Sequence, residues 1–408
     1  MDQTIVKKQS WWQLLSIQAG GTICLPVIMV GQLVCQKFGW LAALLGVGLG
    51  NAFLLVIGYV LASLSTYRPQ STVQHAVSYF GNQGRLLFAS LMIFSMLGWF
   101  GIQLNVMSLS GEQLLNMLGI TIPSLFLNIG IGIVLGSVMC FGMKAMKWLS
   151  YFSAPLLGIT LCYALFSAEG SIPMAAPLTI SWLGGLSLII GANIAAVIDL
   201  PTFFRHAQSS KDAQICILLL YGLVVPFIEV VGIYLSAVTG GNSILEVLQT
   251  GHGTLWVMWI SCFVLLSGWA TNNANLYSAI TSSYSLPGQL TPTMRTVALG
   301  VIGIVVACFN PLGNIEDVLD LLSVTIGGMG AVVLSSYLLE RSSLKYINIP
   351  WISILSWLIG ISIGISSSFF HWFITGVPAF DAFMASLLTQ FILNTIYQRK
   401  ETYETIDN

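Results

Sequence analysis

The chain has 408 residues, of which 56% are hydrophobic and 7% are charged, and its mean hydropathy is +0.86. Soluble proteins carry about 25% charged residues, so this composition excludes a string of soluble domains and indicates an integral membrane protein. The formal net charge of −1 argues against a nucleic-acid partner, which requires a basic surface.

Twelve apolar segments, each long enough to cross a bilayer as a helix, follow one another along the chain. Their predicted bounds are 11–35, 38–64, 85–110, 121–143, 147–168, 178–204, 212–239, 254–281, 294–313, 317–339, 349–372 and 377–397. We number these spans in chain order, and together they predict an all-α integral membrane protein with 12 transmembrane helices.

The basic residues fall in alternate connections between the spans. Of the 14 lysines and arginines, all but Lys37 lie on the side of the two termini. The positive-inside rule therefore predicts that both termini face the cytoplasm, with the protein in the inner (cytoplasmic) membrane.

The first span is interrupted near its middle by Gly20-Gly21 and Pro26, which are poor helix formers. Lipid offers no replacement hydrogen bonds to a broken helix, so the freed backbone groups need a cavity whose contents they can hold. This pattern predicts a broken helix that lines a binding cavity. Close helix packing through small residues is the alternative.

Span 3 is preceded by a short amphipathic segment and contains a ring and an amide on one face. Before it, Ala76–Tyr79 with His75 and Phe80 predicts a short amphipathic helix near the membrane surface. Within it, Trp99 and Gln103 are four residues apart and share one helix face. A flat ring beside an amide suits a flat, hydrogen-bonding ligand. An interfacial tryptophan and a packing amide are the alternative.

Span 6 repeats the pattern of the first span. Gly191–Ala196, which contains Asn193, is followed by Asp199 and Pro201, and this stretch predicts a second broken helix. Two weakened helices five spans apart indicate an inverted-repeat transporter. We therefore expect one transmembrane domain over 1–408, with a first repeat at 11–168, an inverted second repeat at 178–339 and an appended helix pair at 349–397.

Spans 7 and 8 carry polar groups at membrane depth. Glu229 in span 7 is a candidate functional carboxyl, or a protonated carboxyl held inside the bundle. In span 8, Thr271, Asn272 and Asn275 crowd one helical stripe. That stripe must face protein, water or ligand, and its oxygens suit a hard cation or a polar solute.

Enzyme chemistry is disfavoured by the distribution of reactive residues. The seven cysteines stand singly, the four histidines form no cluster, and there is no phosphate-binding glycine loop or Ser/His/Asp arrangement. We therefore predict no catalytic residues and no cofactor. A membrane-embedded sensor or enzyme is the alternative from a different class.

The residues resemble the nucleobase:cation symporter family that contains cytosine permease and the hydantoin transporter. The signals run in order along nearly the whole chain. They are Gly98-Trp99-Phe100-Gly101-Ile102-Gln103, Phe141-Gly142, Thr202-Phe203-Phe204-Arg205, Trp269-Ala270-Thr271-Asn272, Ser336–Arg341, Gly376-Val377-Pro378-Ala379-Phe380-Asp381 and Asn394–Lys400. The resemblance implies a leucine-transporter-type fold with a 5+5 inverted repeat, and alternating access around a site between spans 1, 3, 6 and 8.

The resemblance also implies roles for individual residues at the substrate site. Trp99 would stack on the substrate, and Gln103 matches the amide of the hydantoin-transporting members. Cytosine permease places its glutamine where this chain has Met96, and the family's aromatic residue of span 6 falls on Asn193. Further predicted substrate-binding residues are Gly191, Asn272 and Asn275.

The family's sodium site, carried over by position, takes carbonyl oxygens from Gly20 and Ile23 in span 1 and from Ser267 in span 8. Of two span 8 hydroxyls, one is present as Thr271 and the other falls on Ala270, which has none. Water or Asn272 is an expected substitute ligand. Glu229 offers proton coupling as the rival to sodium.

The resemblance implies a secondary active symporter that imports a nucleobase or a related planar nitrogen heterocycle with Na⁺. The alternative is proton-coupled uptake of a non-cytosine heterocycle, such as a purine, hydantoin, allantoin or a vitamin precursor, through Glu229. The expected partners are this solute, the coupling cation and the lipid bilayer, and the sequence does not specify an oligomeric state.

Overall fold

A computed structural model describes residues 8–139, 143–167, 170, 182–240, 245, 248, 253–342, 349–370 and 374–406. The α-helices of this part of the chain are α1 Trp11–Thr22, α2 Leu25–Phe38, α3 Trp40–Tyr67, α4 Thr72–Met117, α5 Ser124–Met139, α6 Met143–Ser167, α7 Trp182–Ile198, α8 Leu200–Phe204, α9 Ser210–Leu219, α10 Val225–Thr239, α11 Thr254–Ser283, α12 Pro292–Cys308, α13 Ile315–Arg341, α14 Pro350–Phe370 and α15 Pro378–Ile406.

The helices match the twelve predicted spans one for one, so the predicted all-α membrane fold is confirmed. Span 1 corresponds to α1 with α2, and span 6 to α7 with α8. Span 7 corresponds to α9 and α10, joined by the π-helical turn Leu220–Val224. The positions 140–142, 168, 178–181 and 371–372 of the predicted spans, and the motif Phe141-Gly142, lie outside the described residues.

The first span is broken as predicted. α1 ends at Thr22, α2 begins at Leu25, and the two helices meet at an angle of 62°. Ile23 and Cys24 form the break, and Gly20 lies in the last turn of α1. Pro26 lies in the first turn of α2, where its missing N–H would have no partner within the helix.

The second break lies at Asp199, and the prediction that Gly191–Ala196 interrupts the helix is wrong. α7 continues through that stretch to Ile198, and α8 starts at Leu200. Alanine is the best helix former, and the small residues pack closely instead of breaking the helix. Pro201 interrupts the helix, because proline has no N–H to donate and its ring would clash with the carbonyl group four residues earlier.

The predicted short helix before span 3 is the first part of α4. It begins after the cap residue Ser71, whose hydroxyl accepts a hydrogen bond from the backbone N–H of Gln74 at 3.4 Å. It ends at Gly81, whose φ of +67° separates it from the membrane-length helix that begins at Gly84. His75 and Phe80 are buried in the protein, and their depth relative to the membrane surface remains a prediction.

Glycines bring the backbones of α2 and α10 close together. A Cβ atom added at Gly31 would lie 2.0 Å from the carbonyl oxygen of Glu229, and one at Gly232 would lie 2.0 Å from that of Ile28. Only glycine permits backbones to come this close. This contact places Glu229 beside the middle of α2, and the appended pair α14 and α15 packs on α13 elsewhere. The repeat boundaries 11–168, 178–339 and 349–397 remain predictions.

Candidate substrate and cation site

A cavity with about 720 Å³ of empty space lies between the two helix breaks. The residues that line it come from the α1–α2 break, α4, the end of α7 with α8, the π-turn and α11. They are Gln18, Gly21, Thr22, Cys24, Val27, Met96, Trp99, Ala192, Asn193, Ala196, Asp199, Phe203, Tyr221, Thr271, Ala274, Asn275 and Ser278.

The cavity brings together four of the residues predicted from the sequence. Trp99 contributes an aromatic ring from α4, Asn193 an amide from α7, and Thr271 and Asn275 polar groups from α11. Met96, one helical turn before Trp99, also lines the cavity and makes that wall apolar. A ring and two amides around one cavity can stack against a flat solute and hydrogen-bond to its edge.

Three predicted substrate residues lie outside the lining of the cavity. Gln103 is buried, and its amide oxygen and nitrogen have no hydrogen-bond partner in the described part of the chain. A Cβ atom added at Gly268 would come within 2.6 Å of its Nε2. The Asn272 amide donates to the Phe100 carbonyl at 3.3 Å. Gly191 faces α13, where an added Cβ would lie 3.4 Å from Ser323.

Glu229 lies one side chain behind the cavity wall. The Asn193 amide donates to its Oε1 at 2.9 Å, and the Asn51 amide donates to its Oε2 at 2.6 Å. The carboxyl is fully buried. The ion pairs of the described residues are Lys37–Glu316 and Arg68–Glu340, so no cationic side chain pairs with Glu229 there. Burial without a cationic partner favours the protonated carboxyl, whereas the two amide donors favour the carboxylate, so Glu229 is a candidate to gain and lose a proton.

Asp199 is a cavity-lining carboxyl that was not among the predicted site residues. Its Oδ1 accepts a hydrogen bond from the Thr202 hydroxyl at 2.7 Å, and its Oδ2 accepts one from the Ser278 hydroxyl. Thr202 in turn contacts the Thr72 hydroxyl at 3.2 Å. The sequence contained a signal for it, because an acid within an apolar span is a candidate functional residue and the nearby Pro201 interrupts that span.

The predicted sodium ligands of span 1 lie at the α1–α2 break. The Ile23 amide donates to the Ala19 carbonyl at 2.8 Å. Among the backbone hydrogen bonds of turns and helix ends in the described residues, none has the carbonyl oxygen of Gly20 or Ile23 as its acceptor. Such carbonyls are the hard oxygen donors that an alkali cation requires.

Helix α11 closes the other side of this predicted cation site. Cys24 and Thr271 line the same cavity, and a Cβ atom added at Gly21 would lie 3.4 Å from that of Ala274. The Thr271 hydroxyl donates to the Ser267 carbonyl at 3.0 Å. The first break therefore faces the part of α11 that carries the predicted ligands, and the cation site itself stays a prediction.

The ligand missing at Ala270 is not replaced by Asn272. Ala270 is buried and has no side-chain oxygen. The Asn272 amide donates to Phe100 of α4 and its oxygen accepts a hydrogen bond from Asn275 at 3.4 Å. The expectation that Asn272 substitutes is therefore wrong in this conformation, because its side chain faces α4 instead of the break.

Comparison with known proteins gives concordant results. A family of permeases for cytosine/purines, uracil, thiamine and allantoin matches residues 6–365. Cytosine permease of Escherichia coli strain K12 is 24% identical over 410 residues, covering 94% of this chain and 93% of that protein. Hydantoin permease of Microbacterium maritypicum is 25% identical over 295 residues, covering 64% of this chain and 59% of that protein.

Solved structures show the same fold. Mhp1, a nucleobase-cation-symport-1 family transporter in a closed conformation with bromovinylhydantoin bound, superposes with a TM-score of 0.77 at 17% identity, covering 97% of this chain and 94% of that one. A Na⁺-coupled sialic acid symporter in a substrate-bound outward-open state has a TM-score of 0.62 at 14% identity, covering 95% and 91%. The predicted leucine-transporter-type fold is thus confirmed.

Proposed function

Because the chain belongs to the family of permeases for cytosine/purines, uracil, thiamine and allantoin, and is therefore a membrane transporter and not an enzyme, we propose that it is a secondary active symporter. It imports a nucleobase or a related planar nitrogen heterocycle across the cytoplasmic membrane by alternating access. Both termini face the cytoplasm in this proposal, as the positive-inside rule predicts.

The single observation that carries the proposed substrate class is the composition of the cavity between the two helix breaks. Trp99 presents a ring, and Asn193 and Asn275 present amides, to the same empty space. Stacking on one face of a heterocycle together with amide contacts to its edge gives orientation as well as affinity. The cytosine permease and the hydantoin permease among its relatives support a small planar heterocycle as the substrate.

Sodium is the proposed coupling ion. In this proposal the ion is held by the carbonyl oxygens of Gly20, Ile23 and Ser267 and by the Thr271 hydroxyl. Supporting it, Gly21, Cys24 and Thr271 line the same cavity, so the first break and α11 face each other there. Half-helix ends and unwound carbonyls are the usual cation ligands of transporters with broken helices. Ala270 removes one oxygen, so we expect a weak sodium site that depends on Thr271.

A second candidate, proton coupling, is favoured by the contact between Asn193 and Glu229. Asn193 lines the cavity and donates to the Glu229 carboxylate at 2.9 Å. Protonation of Glu229 would remove one acceptor oxygen and release the Asn193 amide toward the substrate. Binding of proton and substrate would then be linked through this one amide.

The substrate class is tested by thermal-shift binding with purified protein against cytosine, uracil, purines, hydantoin, allantoin and pyrimidine vitamin precursors. We expect one planar heterocycle to stabilise the wild-type protein and not Trp99→Ala. Stabilisation by non-planar polar solutes alone would refute the substrate class.

The coupling ion is tested by uptake of that ligand into proteoliposomes, driven by a sodium gradient or by a proton gradient alone. Uptake that requires sodium supports the first candidate. Sodium-independent uptake that is lost in Glu229→Gln supports the second, and uptake driven by neither gradient would refute symport.

A further inference from the structure

A second, separate crevice opens at the end of the bundle where the chain begins. It has about 1,030 Å³ of empty space. Its walls are the segment before α1, the last turn of α3, the connection between α8 and α9, and the last turn of α13. Because four helix ends converge there, the crevice lies at the level of the bilayer surface when the bundle spans the membrane.

Three cationic side chains line this crevice, from three different segments. They are Lys8, Arg205 and Arg341. The residues that line it include no aspartate or glutamate. Like charges placed around one crevice repel each other, and an anion between them relieves that repulsion.

The three cations are not neutralised by neighbouring acids. The ion pairs of the described residues are Lys37–Glu316 and Arg68–Glu340, and involve none of the three. Arg205 donates to the Tyr277 hydroxyl and to the His206 ring, each at 3.2 Å. The Arg341 guanidinium lies over the Tyr67 ring, 4.8 Å from its centroid. Both partners leave the positive charge in place.

Three acids on the adjoining elements are each engaged by other groups. Asp199, whose charge interacts with that of Arg205, lines the other cavity and accepts hydrogen bonds from the Thr202 and Ser278 hydroxyls. Asp212 of α9 accepts hydrogen bonds from the Trp11 amide at 2.9 Å and from the Ser209 hydroxyl at 2.5 Å. Glu340 of α13 pairs with Arg68 and accepts a hydrogen bond from Tyr79. The crevice therefore presents net positive charge.

The position of Lys8 is fixed by the backbone. The Gln9 amide donates to the His206 carbonyl at 2.7 Å, and the Gln208 amide donates to the Gln9 carbonyl at 2.7 Å. This short bridge holds the segment before α1 against the α8–α9 connection and so places Lys8 in the crevice wall. The hydroxyls in the lining are engaged, because those of Ser63 and Thr66 donate to backbone carbonyls and that of Ser209 donates to Asp212. The three cationic side chains are therefore the groups that can hold phosphate oxygens.

We propose that the crevice between Lys8, Arg205 and Arg341 binds a phosphate group, supplied by an anionic lipid headgroup or by a soluble phosphate. Basic pockets between helices on the cytoplasmic side of a membrane protein bind acidic headgroups in this way. A phosphate bound there connects the start of α1 and the end of α8 to the end of α13. It would thereby brace both broken spans against α13, independently of which solute occupies the cavity.

The experiment measures the apparent midpoint of thermal unfolding of the purified full-length protein. It compares added phosphatidylglycerol, phosphatidylcholine with the same acyl chains, and inorganic phosphate. We expect phosphatidylglycerol to raise the midpoint of the wild-type protein more than phosphatidylcholine does. Inorganic phosphate giving the same rise would identify a soluble anion as a sufficient ligand.

Four variants at this end of the molecule test whether the stabilisation comes from the crevice. Arg341→Gln should lose most of the rise, and Lys8→Gln with Arg341→Gln should lose all of it. Lys211→Gln, which is exposed and outside the crevice, should keep it. Arg341→Lys, which retains the charge, should keep part of it and serves if Arg341→Gln folds poorly.

The proposal is overturned if phosphatidylglycerol, phosphatidylcholine and phosphate are indistinguishable with the wild-type protein. It is equally overturned if Lys211→Gln loses as much of the rise as Arg341→Gln does, because the effect then reflects surface charge and not a site.

Discussion

The Asn193 amide joins the cavity to a buried carboxyl, since its Nδ2 lies 2.9 Å from Glu229 Oε1 while Asn193 itself lines the cavity. The other carboxyl oxygen accepts from Asn51. Two neutral amides therefore contact Glu229, one from α3 and one from α7.

If protons drive uptake, Glu229→Gln should abolish uptake under a proton gradient without sodium. The new Nε2 group would oppose one of the two amide donors, so we expect a cost of about 1–3 kcal/mol in stability as well. Initial uptake rates into proteoliposomes, with substrate affinity measured separately, check this prediction. Glu112→Gln on α4, outside the cavity, should transport like the wild type. Unchanged proton-driven uptake in Glu229→Gln would exclude Glu229 as the proton carrier.

Trp99→Ala should weaken substrate binding and abolish uptake. Stacking of a base on an aromatic ring contributes about 1–3 kcal/mol, which corresponds to a roughly 5- to 150-fold rise in Kd. Trp99→Phe should recover part of the affinity, because it restores a ring. Trp351→Ala, which removes an exposed ring from α14, is the matched control for general loss of aromatic surface. Equal affinity in Trp99→Ala and the wild type would contradict the stacking role.

The sequence predicted the first break because two glycines and a proline act in the same segment. It placed the second break too early in the predicted stretch, because Gly191 packs against α13 and α7 continues to Ile198, shortly before Pro201. A count of weak helix formers cannot separate these roles, since packing partners come from a distant part of the chain.

Helical spacing correctly placed Trp99, Thr271 and Asn275 on surfaces that face the cavity. It could not place Gln103, whose position beside Gly268 depends on how closely α4 and α11 approach. The contact of Asn193 with Glu229 was equally inaccessible, because it depends on the rotation of α7 relative to α10. The spacing of residues in the sequence shows which of them share one face of a helix. How two helices are rotated relative to each other depends on packing, which the spacing does not show.

Ala270→Ser should strengthen sodium binding. The added hydroxyl restores a ligand oxygen at the place where α11 faces the first break, and we expect about a tenfold gain in affinity, equivalent to about 1.4 kcal/mol. Sodium-dependent stabilisation of purified protein, titrated against a potassium background, measures it. Ala279→Ser, another buried alanine of α11, controls for the added hydroxyl. Should Thr271→Ala leave sodium stabilisation intact, the ion does not bind at this break.

Gly31→Ala should destabilise the folded protein, because the new Cβ would lie 2.0 Å from the Glu229 carbonyl oxygen and force α2 away from α10. Overpacking of this kind costs about 1–3 kcal/mol. Gly48→Ala is the matched control, since an added Cβ there meets no atom within 4 Å. Monodisperse yield and the apparent midpoint of thermal unfolding measure the difference. Comparable values for the two variants would show that α2 and α10 tolerate separation.

His75 should make the protein less stable in mild acid. It precedes the membrane-length part of α4, and burial, together with the charge of Arg68, lowers its pKa from 6.5 to about 4. Above pH 6.5 the ring is neutral in both states. As the pH falls from 6.5 toward 4, the unfolded chain binds a proton that the native protein does not, so stability is lost over this interval, by about 3 kcal/mol in full.

The measurement is the apparent unfolding midpoint between pH 7 and pH 5. His75→Gln should flatten this dependence relative to the wild type, because the glutamine amide does not titrate. His206→Gln, in the connection after α8, should keep the wild-type slope. An identical slope in His75→Gln would show that other groups determine the acid sensitivity, and that the burial of His75 against the core is not coupled to its protonation.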